Sequence, residues 1–334
     1  MNIGIVGLGY WGPNLVRNFA ALDAVEGVLC WDQDPARLAT VVRQYPKTRA
    51  VGSLEDLLRS DCAGVAVVTP ISFHHPIGME VLRRGKHLLV EKPIAASVRE
   101  AEELVAEAAR RSLVLMVDHT FLYTGAVRHM REVMEQGGIG EVYYVDSVRV
   151  NLGLFQHDVN VVWDLAPHDV SIMTHLLGRG PVAVSAVGVG HLNTMEDVAY
   201  LTLHFEGNVI GHLHVNWLAP VKVRRMLIGG SQKMIVYDDT EPSEKVKVYD
   251  RGVSIVSREG IYRTLVEYRT GDMSAPKLDT TEALALVTRD FLRAMQGGGP
   301  PLCDGTAGLD VVRVLEAADR SMRSGGALVR MDRP

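Results

Sequence analysis

Asn2-Ile3-Gly4-Ile5-Val6-Gly7-Leu8-Gly9-Tyr10-Trp11-Gly12-Pro13 is the stretch that decides the fold of this chain. Residues 2–6 read as a short buried strand, and Gly7-x-Gly9-x-x-Gly12 follows directly at its end. Pro13 to Leu22 reads as a helix with proline in its first turn, where a missing N–H is harmless. Strand, glycine turn and helix in that order make a cradle for a pyrophosphate. The first glycine permits the tight turn, the second lets the backbone approach the phosphates, and the third lets the helix pack closely with its positive end toward the anion. A glycine pattern alone is weak evidence. Here Val28-Leu29-Cys30-Trp31-Asp32 adds a second strand whose acid stands 20 residues beyond Gly12, the spacing of a ribose-binding carboxylate. Gly7, Gly9, Tyr10, Trp11, Gly12 and Asp32 are therefore cofactor-binding candidates. A carboxylate at position 32 accepts ribose hydroxyls and repels a 2′-phosphate, which favours NAD over NADP. Arg37 either approaches a 2′-phosphate or, as is more usual on the outer face of the Pro35 to Tyr45 helix, is solvated, and Asp34 reads as that helix's cap.

The β/α alternation continues outward from this unit. Gly64 to Thr69 is a strand, Pro76 to Arg84 a helix, Lys86 to Glu91 a strand, Val98 to Arg111 a helix and Leu113 to Asp118 a strand. This is the pattern of a doubly wound parallel sheet, in which ligands lie beyond the strand carboxyl ends. Thr69-Pro70 and His74 follow one such end, and Glu91-Lys92-Pro93 the next. His74 either hydrogen-bonds the cofactor or caps the helix that follows. Pro93 biases Lys92 away from helical geometry. A lysine at a strand end is ordinarily solvated, but one beside a nucleotide crevice is a catalytic candidate.

At 334 residues the chain exceeds one hydrophobic core, so two domains are expected: a dinucleotide-binding domain over 1–120 and a substrate and oligomerisation domain over 121–334, with the last helices free to pack back on the first. Hydrophobic content of 47% with 22% charged residues fits a globular protein. No apolar run approaches the ~18 residues needed to span a bilayer. With no signal-like leader at Met1 either, the chain reads as cytoplasmic. The net charge of −5, without a basic run, argues against nucleic acid or an anionic membrane as partner. Cys30, Cys62 and Cys303 are few and far apart, so neither a disulfide framework nor a structural zinc is expected.

The glycine loop, Thr69-Pro70 followed by His74, and Gly85-Lys86-His87 leading into Glu91-Lys92-Pro93 resemble the Gfo/Idh/MocA oxidoreductases. The resemblance covers nearly the whole chain. It implies a Rossmann-type domain followed by an α/β domain carrying an open, mostly antiparallel sheet, with the lysine of the Glu-Lys-Pro motif near nicotinamide and sugar. Ile71 departs from the pattern, since many members carry asparagine after Thr-Pro.

The second half begins with a helix over Leu122 to Glu135 and a strand over Val142 to Asn151. The densest polar chemistry follows, in 153–169. A helix starting near Asp164, with Pro167 in its first turn, would place Asp164 and His168 on one face at i and i+4; a start at Pro167 would not. Taken singly, Asp164 reads as an N-cap and His168 as a core-edge histidine. Together they match the Asp-x-x-x-His element of the family, which implies a catalytic role. No zinc-ligand spacing is present, so no metal is expected. Strands follow at Val182 to Val189, Val198 to Phe205, Val209 to Trp217, Val223 to Ile228 and Met234 to Tyr237, with a hairpin turn at Glu206-Gly207-Asn208. His204, His212 and His214 alternate along neighbouring strands, marking a half-polar sheet face suited to pairing with a second subunit. The family resemblance likewise implies a homo-oligomer, dimer or tetramer, built through this sheet. Glu282 to Met295 and Ala307 to Arg323 read as helices, and Ala327 to Met331 as a last strand.

The expected reaction is hydride transfer between a sugar secondary alcohol and nicotinamide, for which the protein must manage a proton. An imidazole titrates near neutrality, so His168 is assigned base or relay, Lys92 the hydroxyl-holding or proton-sharing role, and Asp164 their orientation. The runs Asn151 to Phe155, Trp163 to Asp169 and Trp217 to Arg225 are similar to family members that oxidise C3 of nucleotide sugars such as UDP-N-acetylglucosamine. Arg149, Lys222 and Arg224 would supply charge to a diphosphate, Trp217 a stacking surface, and Asn151 and Trp163 further substrate contacts. The competing readings are a dehydrogenase or reductase of a free sugar, inositol or keto-sugar, and a non-catalytic NAD-binding regulator on the same fold.

Overall fold

The computed structural model describes residues 1–153, 158–192, 194–255 and 266–331. Leu154 and Phe155, part of the nucleotide-sugar-like run, lie outside these residues. The chain divides into two compact units. The first holds residues 1–123 and 281–316, and the second 124–280 and 317–334. The first division falls after Tyr123, and residues 281–316 rejoin the first unit, the return that the sequence left open for the last helices.

The first unit alternates β1 (Asn2–Val6), α1 (Gly12–Ala20), β2 (Gly27–Trp31), α2 (Pro35–Gln44), β3 (Thr48–Ala50), α3 (Leu54–Arg59), β4 (Gly64–Val67), α4 (His74–Arg83), β5 (His87–Glu91), α5 (Val98–Arg110) and β6 (Leu115–Asp118). The sheet order is β3-β2-β1-β4-β5-β6, and every pairing is parallel. This is the doubly wound order with its switch point between β1 and β4, where a crevice opens beyond the strand carboxyl ends. Strands buried on both faces need continuous apolar runs. Ile3, Ile5, Val65, Val67, Leu88 and Val90 supply them, all fully buried. The returning segment is tied on firmly: Glu282 takes a two-pronged bond from Arg17 at 2.6 and 2.8 Å, and Phe291 packs edge-on against Phe19 at 6.3 Å.

In the second unit α6 (Gly125–Glu135), β7 (Val142–Leu152) and α7 (Val161–Leu177) precede the strands β8 (Ala183–Val189), β9 (Val198–Phe205), β10 (Val209–Asn216), β11 (Leu218–Gly230), β12 (Met234–Asp238), β13 (Val246–Tyr249), β14 (Gly252–Ile255), β15 (Val266–Arg269) and β16 (Met273–Ser274). The helices α8 (Ala283–Met295) and α9 (Gly305–Arg323) and the strand β17 (Val329–Arg330) complete the described chain. The large sheet runs β16-β13-β12-β11-β7-β10-β9-β8-β17, and only the β7–β10 pairing is parallel. Period-two alternation separates its faces. Leu201, Leu203, Leu213 and Val215 point into the core, whereas Tyr200, His204, Ile210, His212 and His214 lie on the other, partly exposed face. There Tyr200 stacks on His214 with ring centroids 4.4 Å apart.

Helix α7 begins earlier than expected. Asn160 caps it by accepting the N–H groups of Val162 and Trp163, so Pro167 lies in the helix interior and not in its first turn. Pro167 cannot donate to the Trp163 carbonyl four residues back. Asp164 and His168 nonetheless fall one turn apart on a continuous helix, as the shared-face argument requires.

Candidate active site

The glycine loop is shaped by contacts no side chain would survive. Gly7 sits at φ +95°, and a Cβ there would meet the Val68 carbonyl oxygen at 2.6 Å. A Cβ on Gly12 would strike the Gly7 oxygen at 2.2 Å, so α1 packs against the turn as closely as backbone allows. Gly9 differs: the nearest atom to a Cβ there is the tip of Arg37, 3.9 Å away, which leaves the backbone open to an incoming ligand. Asp32, at the end of β2, is largely buried. One carboxylate oxygen accepts the Leu8 N–H at 2.5 Å and the other the Asp34 N–H at 2.8 Å, so the acid braces the loop from below. Asp34 caps α2 as expected and pairs with Arg37 at 3.3 Å. Tyr10 is 87% exposed at the loop tip.

Beyond β4 the backbone turns through Thr69 and Pro70. The Thr69 hydroxyl is buried and has no hydrogen-bond partner among the described residues. Open backbone at Gly9, an acid at the ribose position and this unsatisfied hydroxyl together fit a dinucleotide. Ile71, the departure from the family pattern, is buried and packs as a core residue. The His74 side chain does not cap the helix that follows. It is fully buried, with Nδ1 2.9 Å from the Pro93 carbonyl oxygen and Nε2 2.8 Å from that of Thr69. It braces the turn at Thr69 against the turn after Lys92. Lys92 and Glu91 are half-buried at the end of β5, and the Lys92–Pro93 peptide is cis.

Asp118 and His119, at the end of β6, were not singled out in the sequence. Both are 1% exposed. Asp118 accepts from Thr120 Oγ1 at 2.6 Å and from the Trp11 indole at 3.3 Å. Burial raises its pKa, while those two hydrogen bonds and the Lys92 charge oppose the rise. Burial, and then the same Lys92 charge, push His119 down to about 3, so its imidazole is neutral. A sequence signal for both existed: they close the third of three consecutive strands that end in polar residues.

In the second unit Asp164 Oδ2 accepts the Trp217 indole N–H at 3.0 Å, which fixes the acid one turn before His168 on α7. His168 is half-buried, and its carbonyl accepts from Ser171. Several substrate candidates are otherwise engaged. Trp217 is completely buried and offers no face for stacking; its role is to hold Asp164. Trp163 is also buried, its indole donating to Asp319 at 2.9 Å. Arg149 faces inward from β7 and forms a buried pair with Asp169 at 2.5 Å, which also accepts from Ser147. Burial works against the Arg149 charge, and the carboxylate more than offsets it. Arg224 pairs with Asp239 at 3.3 Å, and despite burial the Lys245 and Arg224 charges hold that acid below the usual carboxylate range. Of the three cations expected to meet a diphosphate, Lys222 alone stands exposed, where β11 bulges away from β7 between Leu218 and Val223. Asn151 is half-buried near the end of β7.

Residues 1–119 match the model of an oxidoreductase family with an NAD-binding Rossmann fold, and residues 127–236 match the GFO/IDH/MocA C-terminal domain. The chain is also 30% identical to the UDP-N-acetylglucosamine 3-dehydrogenase of Acidithiobacillus ferrooxidans, over 95% of each chain. It belongs to the Gfo/Idh/MocA family. The solved structure of that relative superposes with a TM-score of 0.82 at 28% identity, covering 97% of this chain and 98% of the other. A second relative, the NADP-dependent scyllo-inositol 2-dehydrogenase of Bacillus subtilis, is 22% identical over 97% of this chain and 94% of its own. As a family member the chain is an NAD-binding oxidoreductase acting on CH–OH groups of sugars. No described helix is long and apolar enough to cross a membrane, and no cluster of metal-binding side chains occurs among the described residues.

Proposed function

We propose that the protein oxidises the C3 hydroxyl of a nucleotide sugar such as UDP-N-acetylglucosamine, using NAD. The observation that carries this reading is the end-to-end similarity to a dehydrogenase of that substrate, in a chain that carries the glycine loop, Lys92, Asp164 and His168. When bound, nicotinamide supplies the hydride acceptor. The chain's own task is the proton. Lys92 holds the reacting hydroxyl and shares its proton, since an ammonium stabilises the oxyanion that develops as hydride leaves carbon. His168 takes the proton as base or relay, and Asp164, fixed by the Trp217 indole, orients it. Asp32 receives the adenosine ribose, and Gly9 admits the pyrophosphate to the backbone. Lys222 and Asn151 contact the nucleotide portion, while Arg149 and Arg224 hold pairs with Asp169 and Asp239. The protein works in the cytoplasm as a homo-oligomer joined through the open sheet face that carries Tyr200, Ile210 and His214.

The test is absorbance at 340 nm on mixing protein and NAD with UDP-N-acetylglucosamine, other UDP-sugars, free sugars and inositols. Reduction with the UDP-sugar alone supports the proposal. Reduction with inositol or a free sugar instead would move the substrate to the class of the Bacillus subtilis relative. Tight NAD binding with no reduction by any of them would make the protein a cofactor-binding regulator.

A further inference from the structure

We infer that Asp118 is a positioning residue: its buried carboxylate couples the glycine loop, through Trp11, to Lys92. The β5–β6 register pairs Glu91 with Asp118, so the acid ends its strand beside the residue that precedes Lys92. Its carboxylate is shared between two donors on different segments. Thr120 Oγ1, from the turn that follows β6, holds one oxygen at 2.6 Å, and the Trp11 indole, from the last bend of the glycine loop, reaches the other at 3.3 Å.

A carboxylate with 1% exposure is costly unless hydrogen-bonded and matched by charge. An apolar side chain would fill the same place at no such cost. The neighbouring His119, neutral and equally buried, supplies no compensating charge. The Lys92 ammonium does, since its field acts on Asp118 and favours the ionised carboxylate against the pull of burial. The acid is thus a junction. Its two oxygens hold the indole and the β6 turn, and its strand end places it in the field of Lys92. Moving the glycine loop moves the acid's donor, and moving the acid changes the field at the lysine. The coupling lies within the first unit and needs nothing from the second.

The inference rests on the proposed role of Lys92 only for its effect on turnover; its effect on cofactor binding is independent of any sugar. The experiment is a double-mutant cycle of Asp118→Asn and Trp11→Phe. It reads the NADH dissociation constant by fluorescence titration without sugar, and kcat and KM with UDP-N-acetylglucosamine. Asp118→Asn is expected to weaken NADH about 5-fold and to lower kcat about 10-fold with the sugar KM within about threefold, the loss typical of a hydrogen bond to a charged group. Trp11→Phe is expected to weaken NADH about 3-fold with a smaller fall in kcat, and the double variant to bind NADH no more than about twofold worse than Asp118→Asn, because the indole acts through the acid. Additive losses, or an Asp118→Asn variant within about twofold of native in both NADH binding and kcat, overturn the inference. If Asp118→Asn does not fold, Trp11→Phe, altered on a partly exposed loop, still decides: unchanged NADH binding overturns it. If UDP-N-acetylglucosamine is not turned over, the NADH arm reads the coupling alone.

Discussion

The turns at the carboxyl ends of β1, β4 and β5 and the region formed by α7, β7 and β11 are both rich in polar and aromatic groups, but the two are organised differently. In the first, backbone geometry sets the site: positive φ at Gly7, the close approach at Gly12 and the open backbone at Gly9 prescribe where a dinucleotide must lie. In the second, side chains are fixed by bonding to one another. Arg149 pairs with Asp169, Arg224 with Asp239, Trp163 with Asp319 and Trp217 with Asp164, so the proposed substrate contacts fall to Asp164, His168, Lys222 and Asn151. A site built from backbone tolerates little change in sequence, whereas one built from paired side chains can carry many charges and expose few.

Substitutions can break this contrast at several points. Lys92→Met should lower turnover about 10³-fold, within the range of acid–base and hydroxyl-positioning contributions, while NAD affinity stays within a few-fold. Initial rates and an NADH titration check both halves. Asp169→Ala should destabilise the second unit by about 3–5 kcal/mol in urea denaturation, because it removes the carboxylate that pairs with the buried Arg149 guanidinium. An effect on sugar KM without loss of stability would instead return Arg149 to the substrate. Trp217→Phe should cost about 1–3 kcal/mol through the lost hydrogen bond to the Asp164 carboxylate and lower kcat with it, whereas a stacking role would raise KM alone.

The first unit carries a pH signature. His119, with a folded pKa near 3 against an ordinary value of about 6.5, contributes nothing to pH dependence above 6.5. Below that the unfolded chain takes up a proton that the folded chain refuses. Stability therefore falls as pH drops from about 6.5 toward about 3, by at most about 1.4 kcal/mol per pH unit, and His119→Leu should flatten that slope in melts taken across the window. The smallest effect expected is at the surface: Lys222→Ala should raise the UDP-sugar KM a few-fold, near the ~1 kcal/mol of an exposed ionic contact, and leave stability unchanged.

What could be read from the sequence follows the same division. The glycine spacing, the acid 20 residues on and the strand and helix periodicities are consequences of backbone geometry, and they located the sheet and the crevice to within a few residues. The half-polar face of β9 and β10 was likewise visible in the alternation of histidines with leucines and valines. The roles of Trp217, Arg149 and Arg224 were not. An aromatic or a cation beside a strand end looks the same whether its partner is a ligand or an acid far along the chain, such as Asp164 or Asp169, and only the tertiary fold reveals which. Asp118 and His119 were missed for the converse reason. Nothing in local spacing marks a buried acid as the neighbour of a lysine from the adjacent strand. The interior Pro167 shows a third limit: proline suggests a helix start, but the Asn160 cap had already fixed one.

The central claim, that hydride leaves C3 of a nucleotide sugar for nicotinamide, is tested most directly with UDP-N-acetylglucosamine deuterated at C3. Incubation with NAD followed by mass spectrometry of the reduced cofactor should show one deuterium on the nicotinamide ring. NADH formed without the label, or label recovered in water, would contradict it.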